Sequence, residues 1–216
     1  MTSRSSRTTR FRAGFSMVEL LVTLAVLAVL VVLASVAYRA AVMRTRKTAS
    51  VQTLKGIGIA VASHIADHNG AVPGPTNTNQ GPYFKANKLV GRIWPYLGYS
   101  KRPAERAVLP EFVPAHWRVW LAANGNPDGV QLYKANCNFY YGGETVRFFG
   151  YLESAQPYVP GNWSAVTVKV PQLSKQVVLQ DYRPTEGKED TPPPEGLQDY
   201  VTSLYLDWHV EIKEDR

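Results

Sequence analysis

Residues 15–38 read FSMVELLVTLAVLAVLVVLASVAY, two dozen residues in which Glu19 is the only acid or base. At about 1.5 Å per residue such a segment makes roughly 36 Å of helix, enough to cross a hydrocarbon core of about 30 Å. The flanks orient it. Arg4, Arg7, Arg10 and Arg12 precede it within the first fourteen residues, with no acid among them. A basic stretch before the first apolar run predicts a cytoplasmic N-terminus, placing the chain after Tyr38 on the far side of the membrane. Arg39, Arg44, Arg46 and Lys47 pull weakly the other way. A secretory signal has a shorter apolar region followed by a small-x-small cleavage site, whereas this run is too long and its end, SVAYRAAV, is ambiguous.

Composition narrows the function classes. The chain has 216 residues, 45% of them hydrophobic, which suits one compact domain plus an attached element. Its net charge of +7 comes largely from the N-terminus: without the four leading arginines, 20 basic residues face 17 acidic ones. The charge therefore gives no footprint for a nucleic-acid partner. Cys137 is the single cysteine, so no intramolecular disulfide forms.

The junction before the apolar run is Ala13-Gly14-Phe15-Ser16-Met17-Val18-Glu19-Leu20. It resembles the type IV prepilin signal, in which a basic leader ends in Gly, is cut before Phe, and leaves an acid fifth in the mature chain. The resemblance implies cleavage between Gly14 and Phe15, N-methylation of Phe15, and a role in assembly for Glu19. Position alone agrees, since an ionisable group inside a membrane span costs about 2.5–3.5 kcal/mol even on lenient scales and usually marks function. The alternative for Glu19 is a carboxylate near the mature end that snorkels to the headgroups.

Helical character is expected to continue beyond the membrane. Val51, Leu54, Gly58, Val61 and Ile65 recur at three- and four-residue steps, the stripe of an amphipathic helix. Asn69-Gly70 and Pro73 supply the stop, which predicts one helix over about 16–67. No proline interrupts 15–72, so no kink is expected, and Gly56 and Gly58 are its weakest points. Residues 51–75 also resemble the helix-exit region of pseudopilin-related proteins, at Ile57-Gly58, His68-Asn69-Gly70 and Pro73. Residues 175–181 and 203–211 resemble that group's two final strands. The group often ends in His-x9-Asp-Gly-His; Asp207 and His209 match, but Trp208 replaces the Gly and Leu197 the first His.

From about residue 71 the pattern is short strands and loops. Strands are expected at 137–141, 146–152, 165–170, 176–180 and 203–212, from aromatic and β-branched content. Gly142-Gly143 reads as a hairpin turn, and the proline-rich 183–196 as an exposed loop. The expected fold is α+β: a long N-terminal helix, membrane-spanning in its first half, packed on a small antiparallel β-sheet head. The expected division is a leader at 1–14, a membrane and filament-core helix at 15–43, an amphipathic continuation at 44–68 and a β-rich head at 69–216.

Other constellations carry less. His64, Asp67 and His68 offer zinc-like spacing, but no Glu follows the first His as in the metalloprotease signature, and a packed helix end is the simpler account. Asn124-Gly-Asn126-Pro-Asp128-Gly129 echoes a calcium loop, yet the twelfth position is Ala135 and only one carboxylate is present, so a turn is expected. Trp94, Trp117, Trp120, Trp163 and Trp208 are expected in core and subunit contacts before ligand stacking. No nucleophile elbow or phosphate loop is visible, so neither an enzyme nor a cofactor is expected.

The family resemblance implies a pseudopilin or minor pilin, a structural subunit that assembles with its own kind through the N-terminal helix. It implies a prepilin peptidase, and an inner-membrane assembly platform with its ATPase, as partners. The implied location is the inner membrane, single-pass with the head outside, and then a periplasmic or surface filament of type II secretion or type IV pilus kind. Two alternatives stand beside it: a membrane-anchored sugar-binding domain or enzyme, and a DNA-binding minor pilin.

Overall fold

The computed structural model describes residues 16–136, 138–141, 144–149, 163, 166–167, 170–182 and 200–214. The chain divides into two compact units at Met43/Arg44. One helix, α1 (Met17–Asp67), supplies most of the first unit and the first element of the second.

Within the first unit every large apolar side chain from Met17 to Tyr38 is between 53% and 85% exposed. A helix apolar on all sides belongs in an apolar solvent or against other helices. Among the described residues it is the one helix long and apolar enough to cross a membrane. Thr23 and Ser35 donate their hydroxyls to the carbonyls of Leu20 and Val32 at 2.8 and 2.7 Å, so neither polar group demands water.

From Ser50 onward the same helix is one-sided. Ser50, Leu54, Ile57, Gly58, Ala60, Val61 and Ile65 are buried. Of the five-residue stripe read from the sequence, Val51 is only half-buried, and its place on the covered face goes to Ser50. The helix ends as Asn69-Gly70 predicts. Asn69 takes a left-handed φ of 52° and the Gly70 N–H donates to the Ile65 carbonyl at 2.8 Å, the bond of a Schellman motif.

Against this face stands a five-stranded antiparallel sheet in the order β1-β2-β5-β6-β7. Its strands are β1 (Asn79–Gln80), β2 (Tyr133–Ala135), β5 (Val177–Asp181), β6 (Tyr200–Tyr205) and β7 (Val210–Glu214). A separate hairpin pairs β3 (Asn138–Tyr141) with β4 (Glu144–Arg147). Leu204 of β6 meets α1 where Gly58 has no side chain, and Leu54, Ile57, Val178, Leu179 and Leu204 are wholly buried.

Several expectations change. The strand expected at 203–212 is two strands and a turn: β6 and β7 pair from Tyr200↔Glu214 to Leu204↔Val210, around Asp207-Trp208. Apolar content runs through that turn because Leu206 is fully buried and Trp208 half-buried, which hides the break from a composition reading. The strand expected at 146–152 lies earlier, as β4, and Phe148 and Phe149 form a bend buried in the core. Residues 150–152 lie outside the described residues. At 165–170, Val166 and Thr167 are helical. Two helices were not expected, α2 (Leu89–Ile93) and α3 (Ala115–Ala123), and a 3-10 turn, Trp94–Leu97, follows α2 directly. Cys137, Gly142, Gly143 and the loop 183–196 lie outside the described residues.

Candidate assembly site at the helix N-terminus

The first turn of α1 closes on itself. The Ser16 N–H donates to Glu19 Oε2 at 2.9 Å, while Ser16 Oγ accepts from the Val18 N–H at 3.3 Å. This reciprocal pair is a capping box, in which Ser and an acid three residues later satisfy donors that the first turn leaves free. The signal, Ser16-x-x-Glu19, lies open in the sequence but is overshadowed by the unusual position of an acid in an apolar run. Glu19 thus has a partner within its own chain. Its Oε1 is not part of that pair, and the carboxylate sits at the positive end of the helix dipole. Gly14 and Phe15 lie outside the described residues.

Farther along, inside the second unit, Lys47 ties α1 to the sheet. Its Nζ lies 2.5 Å from Glu214 Oε1 and 5.4 Å from the centre of the Tyr200 ring. Exposed pairs of this kind are worth about 0–1 kcal/mol, so it serves register more than stability.

The remaining constellations resolve into packing. His64 and His68 stack, ring centres 4.0 Å apart and planes 14° off parallel, with the Tyr96 ring edge-on to both. The His68 Nδ1 lies 2.9 Å from the His64 carbonyl. Burial, with His68 and Arg92 nearby, pulls the His64 imidazole down to about 4, so it is neutral at pH 7. No group of three or more metal-ligating side chains exists among the described residues. In the segment resembling a calcium loop, Asn126 and the glycines 125 and 129 adopt positive φ, a run of turns. Asp128, its one carboxylate, is paired with Arg106 at 2.5 Å.

The aromatics divide. Trp117 is buried and packs edge-on against Trp120. Trp208 stacks on Trp163 with ring centres 5.3 Å apart. Trp208 holds φ at +67°, a region that favours glycine, at the position where the pseudopilin pattern has Gly. His209 and Asp207 are partnered with each other, and the His209 ring stacks on Tyr205 at 4.3 Å.

Searches of the curated proteins and of the solved structures give no significant match. Residues 9–35 match the family model of the prokaryotic N-terminal methylation motif, a stretch that holds the end of the basic leader with Arg10 and Arg12, the Gly14-Phe15 junction, Glu19 and most of the apolar run. The chain therefore carries the prepilin-type signal of type IV pilins and pseudopilins.

Proposed function

We propose that this chain is a pilin-like structural subunit, held in the inner membrane by the first half of α1 and assembled into a filament through that same surface. The observation that carries the reading is the matched motif, most of which forms a helix stretch that is apolar and exposed on every side. In this reading 1–14 is a leader removed between Gly14 and Phe15, Phe15 is N-methylated, and 15–43 is membrane span and then filament core. Residues 44–68 continue the helix into a head at 69–216 outside the cytoplasm. Prepilin peptidase trims the leader, and an inner-membrane platform with its ATPase drives assembly. The subunit itself has a structural role and no catalytic one.

Glu19 is the residue that this reading commits to assembly. In the mature chain the Phe15 amine is a cation, and in a filament core a buried cation and anion require each other. Breaking a buried pair costs about 3–5 kcal/mol, because the remaining charge is uncompensated. The capping box supplies a rival account, and two substitutions separate the accounts. Glu19→Gln keeps a capping acceptor and loses the charge; Ser16→Ala removes half of the cap and keeps the charge. Glu19→Gln is expected to stay in the membrane with its leader removed, yet to disappear from sheared filaments, while Ser16→Ala still incorporates. The opposite ranking sinks the charge-pairing role. Mass spectrometry of the mature N-terminus tests the wider reading: a chain starting anywhere but methylated Phe15 defeats it.

A further inference from the structure

The sheet of the head ends on two unlike edges. On one side lies β1, two residues long; on the other lies β7, Val210–Glu214, with no further strand beside it among the described residues. An edge strand presents main-chain donors and acceptors that another strand can pair. On β7 the residues Glu211, Lys213 and Glu214 are exposed, and Val210 and Ile212 are half-buried.

The register decides which groups face outward. The Tyr205 N–H donates to the His209 carbonyl at 3.0 Å, and beyond it Leu204↔Val210, Ser203↔Glu211, Thr202↔Ile212 and Val201↔Lys213 face each other. Bonded and non-bonded facing pairs alternate along an antiparallel ladder. Glu211 and Lys213 therefore turn their main-chain groups toward β6, and Val210, Ile212 and Glu214 turn theirs to the open side. The side chains alternate too. Leu204, opposite Val210, meets α1 at Gly58, whereas on the other face Tyr205 OH donates to Glu211 at 2.6 Å and Lys213 Nζ lies 3.6 Å from Glu211.

We propose that β7 is a docking surface for β7 of a second copy of this chain, joined antiparallel about a two-fold axis at Ile212. In that register Val210 faces Glu214, Ile212 faces Ile212 and Glu214 faces Val210, pairs whose outward groups exchange main-chain hydrogen bonds. Between them Glu211 faces Lys213 of the second copy, and Lys213 faces its Glu211. These are the non-bonded positions, where facing side chains approach most closely, and opposite charges there attract. Sliding the strands by two residues sets Glu211 against Glu211 or Lys213 against Lys213. A shift of one sets outward main-chain groups against inward ones. One register satisfies both the main chain and the charges, so charges that keep other strands off this edge admit its own copy.

The axis stands normal to the sheet and reverses every direction lying in it. The buried stretch of α1 from Ser50 to Ile65 lies along that sheet, so in the two copies it runs opposite ways. Neighbouring heads of one filament share a direction. Given the filament reading above, the contact joins heads of two facing arrays, where many weak pairs add. The pairing itself needs only the head.

The test follows the full chain in density-matched detergent micelles by sedimentation equilibrium. A dimer with a dissociation constant on the order of 10⁻⁴ M is expected, for an interface below standard size. Glu211→Lys or Lys213→Glu alone sets like charges opposite each other and is expected to weaken it about tenfold or more. An equal mixture of the two variants brings Lys opposite Glu again, as does the chain carrying both changes, and each is expected to regain wild-type association. Both residues are exposed, so the variants keep the fold, as their unfolding curves verify. Ile212→Pro removes an N–H on the open side of an edge strand, where proline is tolerated, and is expected to abolish the dimer. In hydrogen–deuterium exchange the Ile212 amide is expected to gain protection as protein concentration rises. A chain that stays monomeric at about 1 mM, tenfold above that constant, overturns the proposal, whether its β7 amides exchange freely or are covered by its own chain. Single variants that associate like the wild type overturn it too, since association through α1 alone would survive them, and so does a mixture that fails to recover. None of these outcomes touches the mass of the mature N-terminus, which tests the filament reading.

Discussion

Gly56 and Gly58 lie two residues apart in α1, and alanine at the two positions is expected to act in opposite directions. In a helix interior Gly is about 0.8–1.0 kcal/mol less favourable than Ala, so both substitutions start from the same gain. At Gly56 a Cβ meets nothing within 4 Å, and the gain is kept. At Gly58 a Cβ lies 3.1 Å from Leu204 Cδ1 and 3.6 Å from both Leu204 Cδ2 and Trp208 Cε3. Carbon pairs prefer about 3.5–4.0 Å. Leu204 is 0% exposed in an inner strand, so it has little room to retreat. Overpacking of this kind costs about 1–3 kcal/mol, which outweighs the helix gain. Since 1 kcal/mol moves the midpoint of a 150–250-residue protein by about 2–4 °C, Gly56→Ala should raise Tm by about that much, and Gly58→Ala should lower it by up to about twice as much. The measurement is thermal unfolding of the dispersed full chain, followed by near-ultraviolet circular dichroism. Trimming the obstacle should rescue the second variant, with Gly58→Ala/Leu204→Val more stable than the sum of its single changes. A Gly58→Ala protein as stable as Gly56→Ala would refute the packing of α1 on β6.

Other outcomes follow from single side chains. His116 has both ring nitrogens buried without a hydrogen-bond partner among the described residues, and burial, with Arg46 nearby, holds it down to about 4 against about 6.5 in an unfolded chain. Between those values the unfolded state takes a proton that the folded state refuses. Stability should therefore fall as pH drops from 6.5 to about 4, and His116→Leu should flatten the urea-midpoint profile, with the residual slope due to His64. Trp208→Gly relieves the left-handed backbone and loses the stack on Trp163, while Trp208→Ala loses the stack and keeps the strain. The Gly variant should be the more stable by about 1 kcal/mol in urea unfolding, and the reverse order would mean that the backbone there is unstrained. Gly91→Ala drives a methyl into the Lys85 carbonyl and should lower Tm by well over 5 °C, the effect of about 2 kcal/mol or more of strain.

Much of this was legible in the chain because two signals are long. The run 15–38 and the stripe from Leu54 to Ile65 each span several turns, and Asn69-Gly70 marks a stop with a definite geometry, so the extent of α1 follows. The antiparallel sheet was legible in kind but less so in detail. Strands of two to six residues carry little periodicity, and β1 and β2 total only five residues. The helices α2 and α3 lack a capping side chain, so the residues that mark most helix starts are missing at both. The Asp207-Trp208 turn was obscured because its left-handed position holds a tryptophan in place of Gly. At the candidate assembly site the reverse holds. Ser16 and Glu19 spell out a capping box, but the interest of a lone acid in an apolar run drew attention from its nearest partner.

In the filament proposed above, the two regimes of α1 would make the helix its own gauge of polymerisation. Backbone amides around Leu54, Ile57 and Val61 lie beneath the sheet, so their hydrogen–deuterium exchange reports opening of the head and stays constant from micelle to filament. Between Met17 and Tyr38 the large apolar side chains are exposed among the described residues. Protection of the amides there depends on whatever surrounds them, detergent in one state and neighbouring helices in the other. The ratio of the two rates, taken on one continuous helix, measures how completely a given subunit has been incorporated, with no label attached.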